Sequence, residues 1–182
     1  MRNTSGKQTA SGLTLLAISF LLAGDAISQT TRTESSTTSK SGRTSVHSEN
    51  SVWTWHHNDD AEKLQVTIRG KVEFNDDYSD ISTISDDGDI RIKHDRHGVV
   101  RKFEASPDAG SIKRVYSING QASPLDGDAQ KWLAETLYKT VRLGGYDTKA
   151  HVRKILKQRG PRGVLDEIAQ LESDYVKRIY FD

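Results

Sequence analysis

The sequence predicts an α+β domain: an antiparallel β-meander of about five to seven strands followed by three α-helices. Three observations carry this. Apolar and polar residues alternate strictly from Leu64 to Phe74, short polar turns recur up to Gly120, and the apolar spacing changes to three and four residues after Asp126. Strands first and helices afterwards is the order of an α+β fold, with the helices covering one face or one end of the sheet.

The chain opens with the three parts of a secretory signal. Arg2 and Lys7 supply positive charge, Leu13 to Ala23 is a largely apolar run of 11 residues, and small residues follow. Cleavage is expected after Ala26 or Ser28, giving a signal peptide over 1–28 and a destination in the periplasm or outside the cell. A membrane-spanning helix needs ~20 apolar residues, so this run is too short for one. Gly24 and Asp25, which close the run, argue against an uncleaved anchor or a terminal core helix. No later stretch is apolar enough to span a bilayer. The absence of cysteine excludes disulfides, thiolate metal sites and lipid attachment at the cleavage site.

Residues 29–50 are mostly Ser, Thr and charged side chains, with Val46 the one aliphatic residue. Such a composition buries too little apolar surface to offset its ordering entropy, so a disordered tether is expected, with a glycosylated or wall-spanning stalk as the alternative. Residues 51–182 are large enough for one domain, divided into a β half over 51–123 and a helical half over 126–182.

In the β half, Leu64, Val66, Ile68, Gly70, Val72 and Phe74 share one face of a long strand, and Gly70 marks a bulge or bend. Ile81 and Ile84, then Ile90 and Ile92, then Val99 to Ala105 and Ile112 to Ile118 supply further strands. The turns between them are Asp86-Asp87-Gly88, Asp95 to Gly98, Pro107 to Gly110 and Asn119-Gly120. In the helical half, Asp126 or Asp128 caps a helix bearing Trp132, Leu133, Leu137 and Val141, which Gly144-Gly145 ends. Asp147 or Thr148 caps a second helix with Val152, Ile155 and Leu156, stopped by Gly160-Pro161. A third helix is expected to carry Val164, Leu165, Ile168, Leu171, Tyr175 and Ile179 on one stripe.

Candidate sites are few. Asp76, Asp77, Asp80, Asp86, Asp87 and Asp89 could gather a hard cation, but the EF-hand spacing is missing and Asp-Asp-Gly-Asp is also a turn sequence, so turns are expected. His56 and His57 point to opposite faces of a strand, and His94 and His97 flank a turn; neither pair brings the further ligands zinc needs. No metal or other cofactor is therefore expected. No nucleophile elbow, zinc-protease helix or phosphate loop occurs. Glu73 and Asp80 are an imaginable glycosidase pair, but nothing in the sequence fixes their separation. No catalytic residue is assigned.

Trp53 and Trp55 share a face of the strand Val52 to His57. Exposed, they form a stacking platform; buried, they anchor the sheet. The helical half clusters Arg142, Lys149, Arg153, Lys154, Lys157, Arg159 and Arg162, whereas residues 58–95 hold 11 acidic against 5 basic side chains. This asymmetry either guides an anionic partner or joins the two halves. The candidate partner contacts are Trp53, Trp55, Arg153, Lys154, Lys157 and Arg159. Loss of 1–28 removes two of the 26 basic and one of the 25 acidic residues, leaving a neutral chain. Neither that charge nor an exported location suits a nucleic-acid binder.

The segments GKVEFNDDYSDISTISDDGDIRI, WLAETLYKTVRLGGYDTKAHVRKILKQRGPRGVLDEI and SDYVKRIYF resemble a group of uncharacterised bacterial exported proteins. They are also similar to the extracytoplasmic part of membrane metallopeptidases of the β-lactam-sensor (antirepressor) type. The resemblance spans Val52 to Phe181 and implies envelope sensing or interaction with a protein or another envelope component. It brings no catalytic residues, because the peptidase's zinc motif and transmembrane helices are absent from this sequence. The expected function is thus an exported, non-enzymatic interaction or sensor module. A small envelope hydrolase or carbohydrate-binding protein is the alternative, and the oligomeric state is open.

Overall fold

The computed structural model describes residues 32–39 and 42–181. The expected signal peptide, with its cleavage site, lies outside the described residues. Among those described, no helix is long and apolar enough to cross a membrane.

The fold is α+β, as the sequence predicts: an antiparallel sheet followed by three helices. The strands are β1 (Thr33–Ser39), β2 (Gly42–Glu49), β3 (Val52–Asn58), β4 (Glu62–Arg69), β5 (Val72–Phe74), β6 (Ile81–Ile84), β7 (Asp89–Arg96), β8 (Val99–Asp108), β9 (Ser111–Ile118) and β10 (Gln121–Ala122). Eight of them form one sheet in the order β1-β2-β3-β4-β7-β8-β9-β10, every neighbouring pair antiparallel. The other two, β5 and β6, pair as a separate hairpin inserted between β4 and β7.

Two expectations for the β half are corrected. The segment read as a disordered tether supplies β1 and β2, and Val46, its lone aliphatic residue, is buried opposite Trp55. Composition misleads here because the sheet edge offers backbone partners to any extended chain, and threonine suits a strand. The long strand Leu64 to Phe74 is two strands. Gly70 takes φ +60 and packs so near Ser85 that a Cβ would meet its Oγ at 2.6 Å, so the chain leaves the sheet there to form the β5–β6 hairpin.

Leu64, Val66 and Ile68 of β4, with Ile90 and Ile92 of β7 and Phe103 and Ala105 of β8, form the buried face; Gln65, Lys93 and Glu104 face water. Helix α1 (Gly127–Arg142) covers that face with Trp132, Leu133 and Leu137, and Val141 is buried one turn further on. Its first turn is capped by Asp126, whose side chain accepts from the Ala129 N–H. At its far end Gly144 lies flat under Trp55, where a Cβ would approach the indole to 2.9 Å.

Helix α2 (Thr148–Gln170) consists of two helical arms that meet at the expected stop, where Gly160 leaves helical geometry with φ 67 and ψ -173. Helix α3 is only Asp174–Phe181. The expected third helix is thus the second arm of α2 plus α3, interrupted at residues 171–173. The break shifts the stripe: Leu171, Val176 and Tyr180 are buried, whereas Tyr175 and Ile179 are half-buried and Leu165 is exposed.

Candidate functional site

The inward face of the sheet turns polar at one end. The same period of two places His57 after Trp53 and Trp55 on β3, Glu62 before Leu64 on β4, and His94 after Ile90 and Ile92 on β7. His57 and His94 both pair with Leu64, from opposite sides, so the two imidazoles flank Glu62. From above, α1 adds Trp132, Thr136 and Lys139, one and two turns apart on the same face.

Glu62 is almost fully buried, and both its oxygens are engaged. Lys139 Nζ donates to Oε1 at 2.6 Å, and His94 Nε2 donates to Oε2 at 3.0 Å. The tautomer of His94 follows from Trp132, whose indole N–H donates to Nδ1 at 2.8 Å and so requires a lone pair there. Burial pushes the His94 pKa below its ordinary value against the pull of the Glu62 charge. Burial also opposes ionisation of Glu62, yet Lys139 and His94 together hold its carboxyl below the ordinary carboxylate range. The result is a neutral imidazole clamped to an ionised carboxylate.

His57 stands on the other side. Its Nε2 is 3.1 Å from Asp59 Oδ2 and 3.9 Å from Glu62 Oε1, and its Nδ1 is 3.2 Å from Thr44 Oγ1 on β2. Asp59 Oδ1 accepts from the N–H groups of Ala61 and Glu62, both at 2.7 Å, which fixes the β3–β4 turn and leaves Oδ2 facing His57. Two cavities of about 320 Å³ flank the Glu62–Lys139 pair, one toward Tyr138, Arg142 and Gln170, the other toward Arg96, Arg101 and Trp132.

A larger cleft of about 780 Å³ opens between the β5–β6 hairpin and the first arm of α2. Phe74, Tyr78 and Tyr146 supply its aromatic surface, with the Tyr146 ring 5.5 Å from Phe74 and 5.1 Å from Trp53. Tyr146 is pinned by donating its hydroxyl to the Val72 carbonyl at 2.8 Å, and burial pushes its pKa up to about 12. Lys71, Arg153, Lys154 and Lys157 line the cleft with Glu73, Asp76 and Asp147. Lys154 sits over the Tyr78 ring at 4.8 Å and 3.2 Å from Asp76. Among the described residues, Arg153 and Lys157 form no ion pair; Arg153 donates only to the Lys149 carbonyl.

Behind the cleft, Tyr78 donates its hydroxyl to His151 Nδ1, which turns Nε2–H toward Glu167 Oε1 at 3.6 Å. Arg142 Nε lies 2.9 Å from the same oxygen, and Arg159 Nη2 is 3.6 Å from Oε2. Burial raises the Tyr78 pKa and lowers that of His151. The phenol therefore keeps its proton, and its hydrogen bond to His151 ties α2 to the loop between β5 and β6.

The expected contact residues separate accordingly. Trp55 is 0% exposed and is removed as a platform; Trp53 is half-buried against Tyr146. Arg153, Lys154 and Lys157 line the cleft, while Arg159 turns toward Glu167. Asp80 pairs with Arg114 at 2.9 Å, and Glu73 with Lys71 and Thr83, so Glu73 and Asp80 are engaged separately. Charge asymmetry does join the halves at two places, Lys139 to Glu62 and Lys154 to Asp76. As the strand alternation predicts, His57 turns inward while His56 is exposed on the opposite face, and His94 is buried while His97 is exposed. Comparison with known protein families, curated proteins and solved structures found no match.

Proposed function

We propose that the protein is an exported interaction module of the bacterial cell envelope that holds an acidic protein segment in the cleft beside α2. The observation that carries this reading is the pair Arg153 and Lys157, cationic and, among the described residues, in no ion pair, at the edge of a cleft walled by three aromatic rings. Unmatched cations on a rigid helix attract and orient an anionic partner, and the aromatic wall adds contact area at small entropic cost. The signal-like N-terminus and the resemblance to extracytoplasmic sensor domains support the same reading.

Fluorescence anisotropy with a labelled glutamate-rich peptide tests it. Binding should saturate, weaken with salt, and fall by about tenfold or more in an Arg153→Glu/Lys157→Glu variant, since facing like charges cost several kcal/mol. Equal binding by the two proteins, or none by either, contradicts the reading.

A second reading, a small glycan hydrolase, has its own observation. Two carboxylates of the same cleft are driven apart: Lys71 and Thr83 hold Glu73 below the ordinary range, while burial and the Glu73 charge push Asp147 above it. A split of this kind is what an acid and base pair needs, with Asp147 the group that would carry the proton. Release of reducing ends from envelope glycan that disappears in Asp147→Asn would favour it over the interaction module.

A further inference from the structure

We propose that His57, Asp59 and Glu62 form a binding site for a divalent transition ion of the zinc class. One nitrogen and two carboxylate oxygens from these residues lie within 4.8 Å of one another. A tetrahedral ion with bonds of ~2.0–2.1 Å sets its ligands roughly 3.4 Å apart. His57 Nε2 stands 3.1 Å from Asp59 Oδ2 and 3.9 Å from Glu62 Oε1, close to that spacing, and the two carboxylates, whose oxygens lie within 4.8 Å of each other, have only side-chain rotations to make to complete the set.

Each ligand is already oriented by a second group, as at metal centres. Thr44 Oγ1 can accept from His57 Nδ1–H, which leaves the Nε2 lone pair for an ion. The Ala61 and Glu62 N–H groups hold Asp59 Oδ1 and leave Oδ2 available. His94 clamps Glu62 Oε2 and is itself fixed by Trp132, leaving Oε1 toward His57. The cavity toward Tyr138, Arg142 and Gln170 adjoins all three ligands and provides a fourth position for water. Lys139 supplies positive charge at Oε1, and its side chain is 40% exposed, so it can swing into solvent when a divalent ion takes its place. Two carboxylates and one imidazole then neutralise the ion, a set that suits zinc better than the all-oxygen ions calcium and magnesium.

Zinc(II) titrated calorimetrically into the purified protein tests the proposal, with cobalt(II) absorption reporting four-coordination and circular dichroism reporting the fold. One ion per chain should bind and raise the melting temperature. His57→Ala and Asp59→Asn should abolish binding; asparagine keeps the turn-forming oxygen, so the second variant tests the ligand without removing the turn. Thr44→Val should weaken binding by about tenfold or more. Lys139→Met, which removes the competing ammonium, should tighten it. Absence of binding overturns the proposal. So does binding that survives both ligand substitutions, which would place the ion on exposed histidines such as His56 and His97.

Discussion

Two regions of this molecule hold the same kinds of group, a histidine with carboxylates and cationic side chains, and differ in how completely those groups are matched. At the polar end of the sheet, Glu62, His94 and Trp132 satisfy one another almost out of contact with water, and the partly exposed Lys139 closes the network at Glu62 Oε1. In the cleft, Arg153 and Lys157 face solvent beside aromatic rings and have no carboxylate partner among the described residues. A matched buried network contributes fold specificity and is costly to break; unmatched exposed charge contributes almost nothing to stability and is available to a ligand. Stability and binding should therefore respond to different substitutions.

The largest loss should come from the apolar stretch between the two regions. Ile68→Asp places a charge on the buried face, costing several kcal/mol against a total of ~5–15 kcal/mol, and should unfold the domain. Thr67→Asp, facing the other way across from Arg91, should melt close to wild type by circular dichroism. Similar melting temperatures for the two would mean that the register of β4 is wrong.

Deleting residues 173–182 removes Val176 and Tyr180, which pack with Leu171 against α2. Loss of large buried side chains typically costs ~2–5 kcal/mol each, so denaturant midpoints should fall clearly. A truncated protein as stable as the full chain would show that α3 is not part of the core.

Glu62→Ala should cost about 1–3 kcal/mol, because His94 loses its acceptor while Lys139 can relax toward water. Acidification should act on the same network and on His151. Both His94 and His151 titrate below the ordinary 6.5 in the folded state, chiefly through burial. The unfolded chain therefore binds protons that the folded chain does not, and stability, full above about pH 6.5, falls as the pH drops through the lowered values. Thermal melts between pH 7.5 and 5.5 should record this decline, and a melting temperature that rises on acidification would contradict it. Smallest of all, Arg153→Glu/Lys157→Glu should leave the melting temperature unchanged while removing peptide binding.

How far the sequence discloses these regions depends on how local their causes are. The alternation of β4, the cap at Asp126 and the turn Asn119-Gly120 are local signals, and each appears in place. Strands β1 and β2 depend on a sheet edge that other residues build, which composition cannot reveal. The helix break before α3 was readable: the Ser173 side chain accepts from the Val176 N–H, an N-cap hidden inside an uninterrupted apolar stripe. The polar end was half-readable too. Counting by two beyond Leu64 reaches Glu62, and beyond Ile92 reaches His94, but alternation is usually followed only while the residues stay apolar. That Lys139 meets Glu62 across 77 positions has no local signature. Nor do Arg153 and Lys157 disclose in sequence that Phe74, Tyr78 and Tyr146 stand opposite them.

The division between a closed network and an open cleft is tested most directly by amide chemical-shift mapping of isotope-labelled protein during titration with the glutamate-rich peptide. Shifts should concentrate at Lys71 to Asp76 and at Tyr146 to Gln158, with His57, Glu62 and His94 undisturbed. Shifts centred on the Glu62 end, or spread evenly over the surface, would contradict the account.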